Sequence, residues 1–170
     1  MADKQTNKRP ETLYADSETG CCLRFDPEPW QEKKITWENK LFIKDQVRNF
    51  MHIPINFGKV MLKNITKIKN ADALPAKPLM LSDECSLWRS DLYIHVSKDV
   101  PESEMVKISG TFITKVFEGS YKDIKKWIAE MEEFVQKQGE KTKKLYFFYT
   151  TCPRCAKHYG KNYTVLLAQV

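Results

Sequence analysis

The chain has 170 residues, of which 42% are hydrophobic, enough for one domain or for two fused halves that share a core. No apolar run reaches the length of a membrane span, and the polar stretch from Met1 to Glu11 is not a secretory signal, so we expect a cytoplasmic protein without a membrane partner. The net charge of +6 is dispersed over the chain without a recognition-helix, zinc-finger or RNA-binding signature, so nucleic acid is not an expected partner.

Residues 1–30 are predicted to form a flexible or extended N-terminal arm, ahead of a single domain over residues 31–170. Residues 1–20 carry few apolar side chains and are expected to be mobile. The segment from Phe25 to Trp30 contains two prolines, which interrupt regular structure. We therefore expect an extended stretch whose Phe25 and Trp30 rings press onto the domain, followed by a strand over Lys34–Lys44.

Residues of about 47–100 are predicted to form a first unit of strand, helix, strand and strand. Its elements are a strand over Val47–Ile55, a helix over Phe57–Ile68, a linker over 74–78, and strands over Leu79–Cys85 and Leu92–Ser97. Apolar side chains at helical spacing indicate the helix, and Asn56 is a candidate N-cap. His52 and His95 fall on strands and are expected to be structural residues.

Residues of about 106–170 are predicted to repeat this order. The elements are a strand over Val106–Phe117 that bends at Gly110, a helix from Ser120 to Gly139, and strands over Leu145–Thr151 and Tyr163–Val170. The predicted fold class is α+β, with two pseudo-symmetric βαββ repeats that form an antiparallel sheet with the helices on one face. Such a pair of units places a cleft between the halves, where ligands bind.

The segment Gly110-Thr-Phe-Ile-Thr-Lys-Val-Phe-Glu-Gly-Ser-Tyr121 resembles the strand–turn–helix entry of GyrI-like domains, the bacterial transcription effector-binding domain family. Tyr146–Thr151 and Tyr163–Val170 lie where the last two strands of that family would be. The resemblance implies a small-molecule pocket between the repeats of a stand-alone member, since no DNA-binding module fits before residue 47. Some GyrI-like relatives are hydrolases, so a binding protein and an enzyme are both open hypotheses.

In multidrug-binding members the pocket is lined by aromatic side chains and a buried glutamate, which implies an apolar or cationic ligand. The aromatic candidates here are Trp37, Trp88, Tyr93, Phe112, Phe147 and Tyr149, although such residues are often ordinary core. The family's glutamate on the penultimate strand is missing, since Phe147-Phe148-Tyr149 stands there. Glu84 and Glu118 are the candidate replacements. Either could be solvated, but a carboxylate among rings would have a raised pKa and could serve as a general acid or base.

The cysteines suggest a third hypothesis. Five cysteines without an export signal indicate reduced thiols rather than a disulfide framework. The segment Thr150-Thr-Cys-Pro-Arg-Cys155 resembles the active-site segment of glutaredoxins, and such a Cys-x-x-Cys pair supports thiol redox chemistry. Too little chain follows Cys155 to complete a thioredoxin-like fold, which argues against redox catalysis.

Zinc binding is the alternative use of the same motif. Cys152, Cys155 and His158 have the spacing of zinc ligands, and Cys21 or Cys22 could supply a fourth. Inert loop cysteines are the simpler interpretation of so short a motif. We favour a structural clamp, by metal or disulfide, on the loop between the last two strands, and we expect no cofactor other than this zinc ion.

Overall fold

The computed structural model describes residues 17–51, 53–84 and 86–170. Within these ranges the elements are, in chain order, β1 (Lys33–Phe50), β2 (Ile53–Pro54), α1 (Phe57–Asn70), β3 (Met80–Asp83), β4 (Arg89–His95), β5 (Glu104–Glu118), a 3-10 turn (Tyr121–Asp123), α2 (Ile124–Lys137), β6 (Lys144–Tyr149), α3 (Pro153–Tyr159) and β7 (Tyr163–Gln169). None of the helices in the described ranges is long and apolar enough to span a membrane.

The strands form an antiparallel sheet that closes on itself. The order is β1-β4-β3-β6-β7-β5, and β5 pairs back with β1 from Lys33–Thr114 to Lys44–Glu104, so six strands make a barrel. The strand β2 pairs only with the end of β1. The predicted antiparallel pairing is confirmed, whereas the closure is a finding that the sequence patterns did not indicate. As a consequence the two long helices pack on the outside of a barrel rather than on one face of an open sheet.

The seams of the barrel differ in extent. The β1–β5 seam is long, and β1 also pairs with β4 from Phe42–His95 to Arg48–Arg89. By contrast, β3 and β6 share a single register pair in the described chain, Ser82 with Phe147. Within the described ranges, backbone pairing between neighbouring strands of the barrel is therefore least extensive between β3 and β6.

Side chains alternate between the interior and the exterior of the barrel, as the pleat of a strand requires. On β7, for example, Val165 and Leu167 belong to the interior, while Leu166 and Ala168 face α2. The interior is a hydrophobic cluster of Phe42, Leu79, Leu81, Tyr93, Ile108, Phe112, Tyr146, Val165 and Leu167. These side chains are almost fully buried, so they fill the region between the halves where the sequence predicts a cleft.

Each long helix covers one half of the outer surface. Val60 and Ile68 of α1 pack on a cluster that includes Ile43 of β1. Trp127 of α2 packs in a second cluster, where its ring stacks on that of Phe117 with the centroids 5.7 Å apart. The amphipathic periodicity that predicts both helices thus corresponds to their packing on the barrel.

The N-terminal segment caps one end of the barrel. The rings of Phe25 and Trp30 lie 6.0 and 5.5 Å from that of Phe148. The Thr114 hydroxyl donates a hydrogen bond of 2.6 Å to the backbone oxygen of Trp30, and the backbone N–H of Val116 donates to the Gln31 side chain. The predicted packing of both rings on the domain is confirmed.

Several predicted boundaries are wrong. The strand expected at Lys34–Lys44 and most of the one expected at Val47–Ile55 form a single strand, β1, because pairing with β4 continues through Asp45 and Gln46. This strand ends at Phe50, and Ile53–Pro54 form the separate strand β2. The predicted final loop contains a helix, α3, which Pro153 begins and Gly160 ends in the left-handed conformation. The side chain of Asn56 makes no capping bond and instead accepts from the backbone N–H of Arg48.

Some predictions cannot be placed in the structure. Residues 1–16, which make up most of the segment that is expected to be mobile, lie outside the described ranges. His52 and Cys85 also lie outside them. His95 is described, and its Nδ1 lies 2.9 Å from the backbone oxygen of Leu41, which confirms a hydrogen-bonded structural histidine. Burial lowers the pKa of His95, although that hydrogen bond acts in the opposite direction.

Candidate functional site

Glu84 lies on the outer surface of the barrel, immediately after β3, and accepts a hydrogen bond from the hydroxyl of Tyr149. Tyr149 is the last residue of β6, so this contact spans the sparsely paired seam. Both side chains are half-buried. The Tyr149 ring lies parallel to that of Phe147, with centroids 6.2 Å apart, and meets Tyr121 edge-to-face at 5.3 Å. A carboxylate thus contacts a tyrosine whose ring is packed against two further aromatic rings.

The environment keeps the Tyr149 hydroxyl protonated. Burial raises the pKa of Tyr149 far above its ordinary value, and the charge of Glu84 raises it further. Burial also raises the pKa of Tyr121. Tyr149 is therefore a permanent hydrogen-bond donor to Glu84 at neutral pH.

Glu118, the second candidate acid, has a different setting at the end of β5. Its side chain is 53% exposed and lies 3.9 Å from the ammonium of Lys161, in an ordinary surface ion pair. It lines an open groove of about 570 Å³ between the N-terminal segment and β5, together with Gln31, Val116 and Tyr163. Glu118 thus has access to a depression, and within the described residues its recorded partner is the ammonium of Lys161.

The predicted aromatic residues fall into three places. Trp37, Tyr93 and Phe112 belong to the barrel interior, where the rings of Trp37 and Phe112 lie 4.6 Å apart. Phe147 and Tyr149 lie on the outside, in the cluster beneath α2. Trp88 lies at the β3–β4 connection, is 58% exposed and packs on Phe50 at 5.8 Å. Of this set, Tyr149 contacts Glu84, and Phe147 packs beside Tyr149.

The barrel interior contains charges that the sequence analysis did not identify. The ammonium of Lys144 lies 2.8 Å from Asp83 and 4.9 Å from the ring centroid of Tyr146. Lys44 lies 3.3 Å from Asp91, a buried carboxylate whose Oδ1 has no partner in the described chain. Burial acts to lower the pKa of Lys144, but the hydrogen bond to Asp83 and the nearby Asp83, Tyr146 and Tyr93 side chains together outweigh burial, so the pKa is raised. No alternation of apolar and charged residues marks them, since β6 is charged only at Lys144 and β4 reads Arg-Ser-Asp-Leu-Tyr-Ile-His.

Four of the cysteines form a cluster where the N-terminal segment meets the β6–β7 connection. The sulfurs of Cys21, Cys22, Cys152 and Cys155 all lie within 4.8 Å of one another. The Cys21 sulfur is 3.7 Å from that of Cys22 and 3.8 Å from that of Cys152. All four are free thiols. The structure thus brings together the Cys-x-x-Cys motif and the adjacent pair in the arm.

Hydrogen bonds around the four-cysteine cluster fix its backbone. The backbone N–H of Cys152 donates to the sulfur of Cys22 at 3.4 Å, and the Tyr159 hydroxyl donates to the backbone oxygen of Cys22 at 2.7 Å. The Thr19 hydroxyl lies 3.2 Å from the sulfur of Cys155. Burial raises the pKa of Cys22 and acts in the same direction on Cys155, where hydrogen bonds from Thr19 and Cys152 outweigh it and lower the pKa to about 6.

His158, the third ligand expected from sequence, lies outside this cluster. Its Nε2 is 3.7 Å from a carboxylate oxygen of Glu18, and its ring is half exposed to solvent. The reason is that α3 begins at Pro153 and its last turn carries His158 away from the sulfurs. Thr19 and Tyr159 are supporting residues that the sequence analysis missed, because neither has a recognisable spacing from the cysteines.

Comparisons with known proteins agree with this fold. The family model described as bacterial hydrolase matches residues 12–170. The crystal structure of a hydrolase from Listeria innocua is similar with a TM-score of 0.56 and 14% identity, over 82% of this chain and 91% of that chain. SAV2435 bound to tetraphenylphosphonium gives a TM-score of 0.47 and 13% identity, over 82% and 93%. No curated protein matches the sequence.

Proposed function

The chain belongs to the bacterial hydrolase family, and on that premise we propose that it hydrolyses a small molecule, with Glu84 as the base that activates the attacking water. The observation that carries this assignment is the hydrogen bond from Tyr149 to a half-buried glutamate among aromatic rings. Activation of water requires a carboxylate that is ionised and held in one orientation. Glu118, by comparison, is exposed and has only an ion-paired lysine beside it.

Tyr149 supports this role in two ways. Its hydroxyl donates to a carboxylate oxygen of Glu84 and so holds that side chain in one orientation. A carboxylate offers about four acceptor positions, so the bond from Tyr149 leaves capacity for a water molecule. Because the raised pKa keeps Tyr149 protonated, its one hydroxyl proton remains available to hold Glu84 in place.

The surroundings of Glu84 favour an apolar or cationic substrate. Tyr121 is 39% exposed and meets Tyr149 edge-to-face, so an aromatic surface adjoins the carboxylate. Ring faces and a carboxylate both attract positive charge. We assign substrate contact to Tyr121 and Tyr149, and we assign Trp37, Tyr93 and Phe112 to the packing of the barrel interior.

We also propose that the two halves are βαββ repeats, in agreement with the resemblance to GyrI-like domains. In support, strand, helix, strand and strand occur in this order twice, as β1-α1-β3-β4 and β5-α2-β6-β7. The pairings correspond as well, since β4 joins β1 to β3 in one half and β7 joins β5 to β6 in the other. The expected test is superposition of residues 33–95 on residues 104–169.

The hydrolase assignment is tested with p-nitrophenyl esters of matched size, one set with neutral acyl groups and one with trimethylammonium-bearing acyl groups. We expect turnover with a preference for the cationic set. Glu84→Gln should lower kcat at least about 100-fold, the usual contribution of a general base, while Tyr149→Phe should cost less because the carboxylate remains. Circular dichroism of each variant establishes that the fold is retained.

Glu118→Gln is the matched control, since it makes the same change at the other candidate acid. We expect its kcat to stay within about twofold of wild type, as for a surface carboxylate. If Glu118→Gln abolishes turnover and Glu84→Gln does not, the reaction belongs to the groove lined by Glu118. If neither ester set is hydrolysed but trimethylammonium esters bind saturably, the protein is a small-molecule binder and the enzymatic proposal fails.

A further inference from the structure

The separations within the four-cysteine cluster match those of a tetrahedral metal centre. Zinc–thiolate bonds are about 2.3 Å long, so the sulfurs at the corners of a regular tetrahedron around zinc lie about 3.8 Å apart. The Cys21 sulfur lies 3.7 Å from that of Cys22 and 3.8 Å from that of Cys152, and Cys155 completes a set within 4.8 Å. Two of the separations are thus those of a tetrahedral zinc site, and all four sulfurs are close enough together to share a single ion.

The same distances do not describe disulfides. A disulfide brings two sulfurs to about 2.05 Å and involves residues in pairs. In this cluster each thiol has three sulfur neighbours at comparable distance, contributed by two separate segments of the chain. This arrangement suits one shared centre rather than two independent bridges.

The surroundings are those of a metal-bound thiolate cluster. The backbone N–H of Cys152 is directed at the sulfur of Cys22, and such bonds stabilise the charge that a ligating sulfur carries. Thr19 contacts Cys155, and Tyr159 holds the backbone oxygen of Cys22, so two residues outside the ligand set help to fix its geometry. An all-sulfur set selects zinc over the oxygen-preferring magnesium and calcium ions.

We propose that Cys21, Cys22, Cys152 and Cys155 bind one Zn²⁺ as a closed structural centre that fastens the N-terminal segment to the β6–β7 connection. With four thiolates no coordination position remains for water or substrate, so the centre is structural rather than catalytic. Its effect on the fold is to hold Phe25 and Trp30 over the end of the barrel, because both lie only a few residues after Cys22.

The first experiment uses the full chain, purified under reducing conditions without chelator from zinc-supplemented cells. We expect elemental analysis to give about one zinc per chain, and X-ray absorption at the zinc edge to show four sulfur neighbours. Reduced protein that stays metal-free on titration with zinc chloride would overturn the proposal. So would a zinc ion whose neighbours include nitrogen or oxygen. Neither readout depends on a variant.

Variants then test which residues bind the ion, by competition with a chromophoric chelator. Cys152→Ser and Cys21→Ser should weaken zinc binding by more than the roughly 10- to 100-fold that loss of an outer-shell contact costs. Thr19→Ala removes only an outer-shell contact, so its zinc affinity should fall by no more than about 10- to 100-fold. His158→Ala is the matched control and should bind zinc as wild type does. Loss of zinc from His158→Ala, or wild-type affinity in both cysteine variants, would contradict the assignment.

The clamp itself is tested by limited trypsin digestion. Arg24 lies two residues after Cys22, and its side chain is 60% exposed. We expect cleavage after Arg24 to become at least about tenfold faster when a chelator removes the metal, because local opening then exposes the segment. An unchanged rate would overturn the clamp role even if zinc is bound.

Discussion

The sulfur of Cys21 lies 3.8 Å from the sulfur of Cys152, although 131 positions separate the two residues in the sequence. A bond through a shared ion would therefore close a loop that contains most of the barrel. A cross-link that closes a long loop removes more conformational entropy from the unfolded chain than one that closes a short loop, although this entropy grows only slowly with loop length. The contact links the N-terminal segment to the stability of the whole domain.

Removal of the metal should therefore destabilise the protein. At a free zinc concentration 100 times its Kd, binding contributes about 2.7 kcal/mol to the free energy of unfolding. We expect a chelator to lower Tm in wild type and in His158→Ala, and to leave Cys152→Ser unchanged. Differential scanning fluorimetry with and without chelator measures this, and a chelator-sensitive Tm in Cys152→Ser would contradict the prediction.

A second prediction concerns Asp45, which joins β1 to α1. It accepts a 2.8 Å hydrogen bond from the side chain of Asn64 and pairs with Lys63. Burial raises the pKa of Asp45, but the bonds from Lys63 and Asn64 outweigh it and the folded pKa lies below its ordinary value. The stabilisation is thus complete above the unfolded pKa of about 3.9 and is lost as pH falls through the folded pKa.

We expect Asp45→Asn to lower the free energy of unfolding by about 1–2 kcal/mol at pH 7, since it removes charged hydrogen bonds. The difference from wild type should begin to shrink below about pH 4, where Asp45 of the unfolded chain takes up a proton, and should disappear as pH falls through the lower pKa of the folded state. Urea titrations between neutral and acidic pH measure both effects. The exposed Glu38→Gln serves as control and should stay within about 0.5 kcal/mol at every pH.

A third prediction follows from the raised pKa of Tyr149. The folded state retains the phenol proton where the unfolded state, with a pKa of about 10, releases it. Its contribution to stability is therefore present below about pH 10 and is lost as pH rises further. Ultraviolet titration of wild type and Tyr149→Phe should give the same tyrosinate signal up to about pH 11, because Tyr149 stays neutral.

Glu84→Gln tests whether the charge of Glu84 contributes to the raised pKa of Tyr149. It removes the negative charge beside the phenol but leaves the burial, so the pKa of Tyr149 should fall while staying above its ordinary value. A tyrosinate signal from Tyr149 near pH 10 in wild type would show that the hydroxyl is solvated and unpaired. That result would also remove the support for Glu84.

The last prediction tests whether Phe112 belongs to the hydrophobic core or to a ligand-binding surface. Phe112 is completely buried among interior rings, so Phe112→Ala should lower the free energy of unfolding by about 3–5 kcal/mol. Leu62→Ala, at a 53% exposed position of α1, should change it by less than about 0.5 kcal/mol. Urea denaturation measures both. A stable Phe112→Ala variant with weakened ligand binding would mean that the ring belongs to a pocket.

Local patterns in the sequence predicted the helices well. The apolar spacing over Phe57–Ile68 and from Ser120 to Gly139 corresponds to α1 and α2, because each helix needs one buried stripe. Closure of the barrel could not be predicted from local sequence patterns. It depends on the pairing of β1 with β5, and an alternating strand has the same pattern in an open sheet as in a closed one.

The candidate site was predictable only in part. The Cys-x-x-Cys motif at Cys152 and Cys155 marks half of the cluster, since its short spacing brings two sulfurs together wherever the loop lies. The contribution of both Cys21 and Cys22 depends on how the N-terminal segment folds back, which no spacing encodes. The contact between Glu84 and Tyr149 likewise arises only when β3 and β6 become neighbours.

The single register pair between β3 and β6 has a consequence for access to the interior. Local opening costs least where the fewest backbone bonds must separate, so we expect fluctuations of the barrel to be largest between Ser82 and Phe147. Separation along this line would unroll the cylinder into a curved, open sheet and bring the buried rings into contact with solvent. The hydrogen bond from Tyr149 to Glu84 crosses the same line, so a molecule that competes for that carboxylate would also loosen the wall beside it.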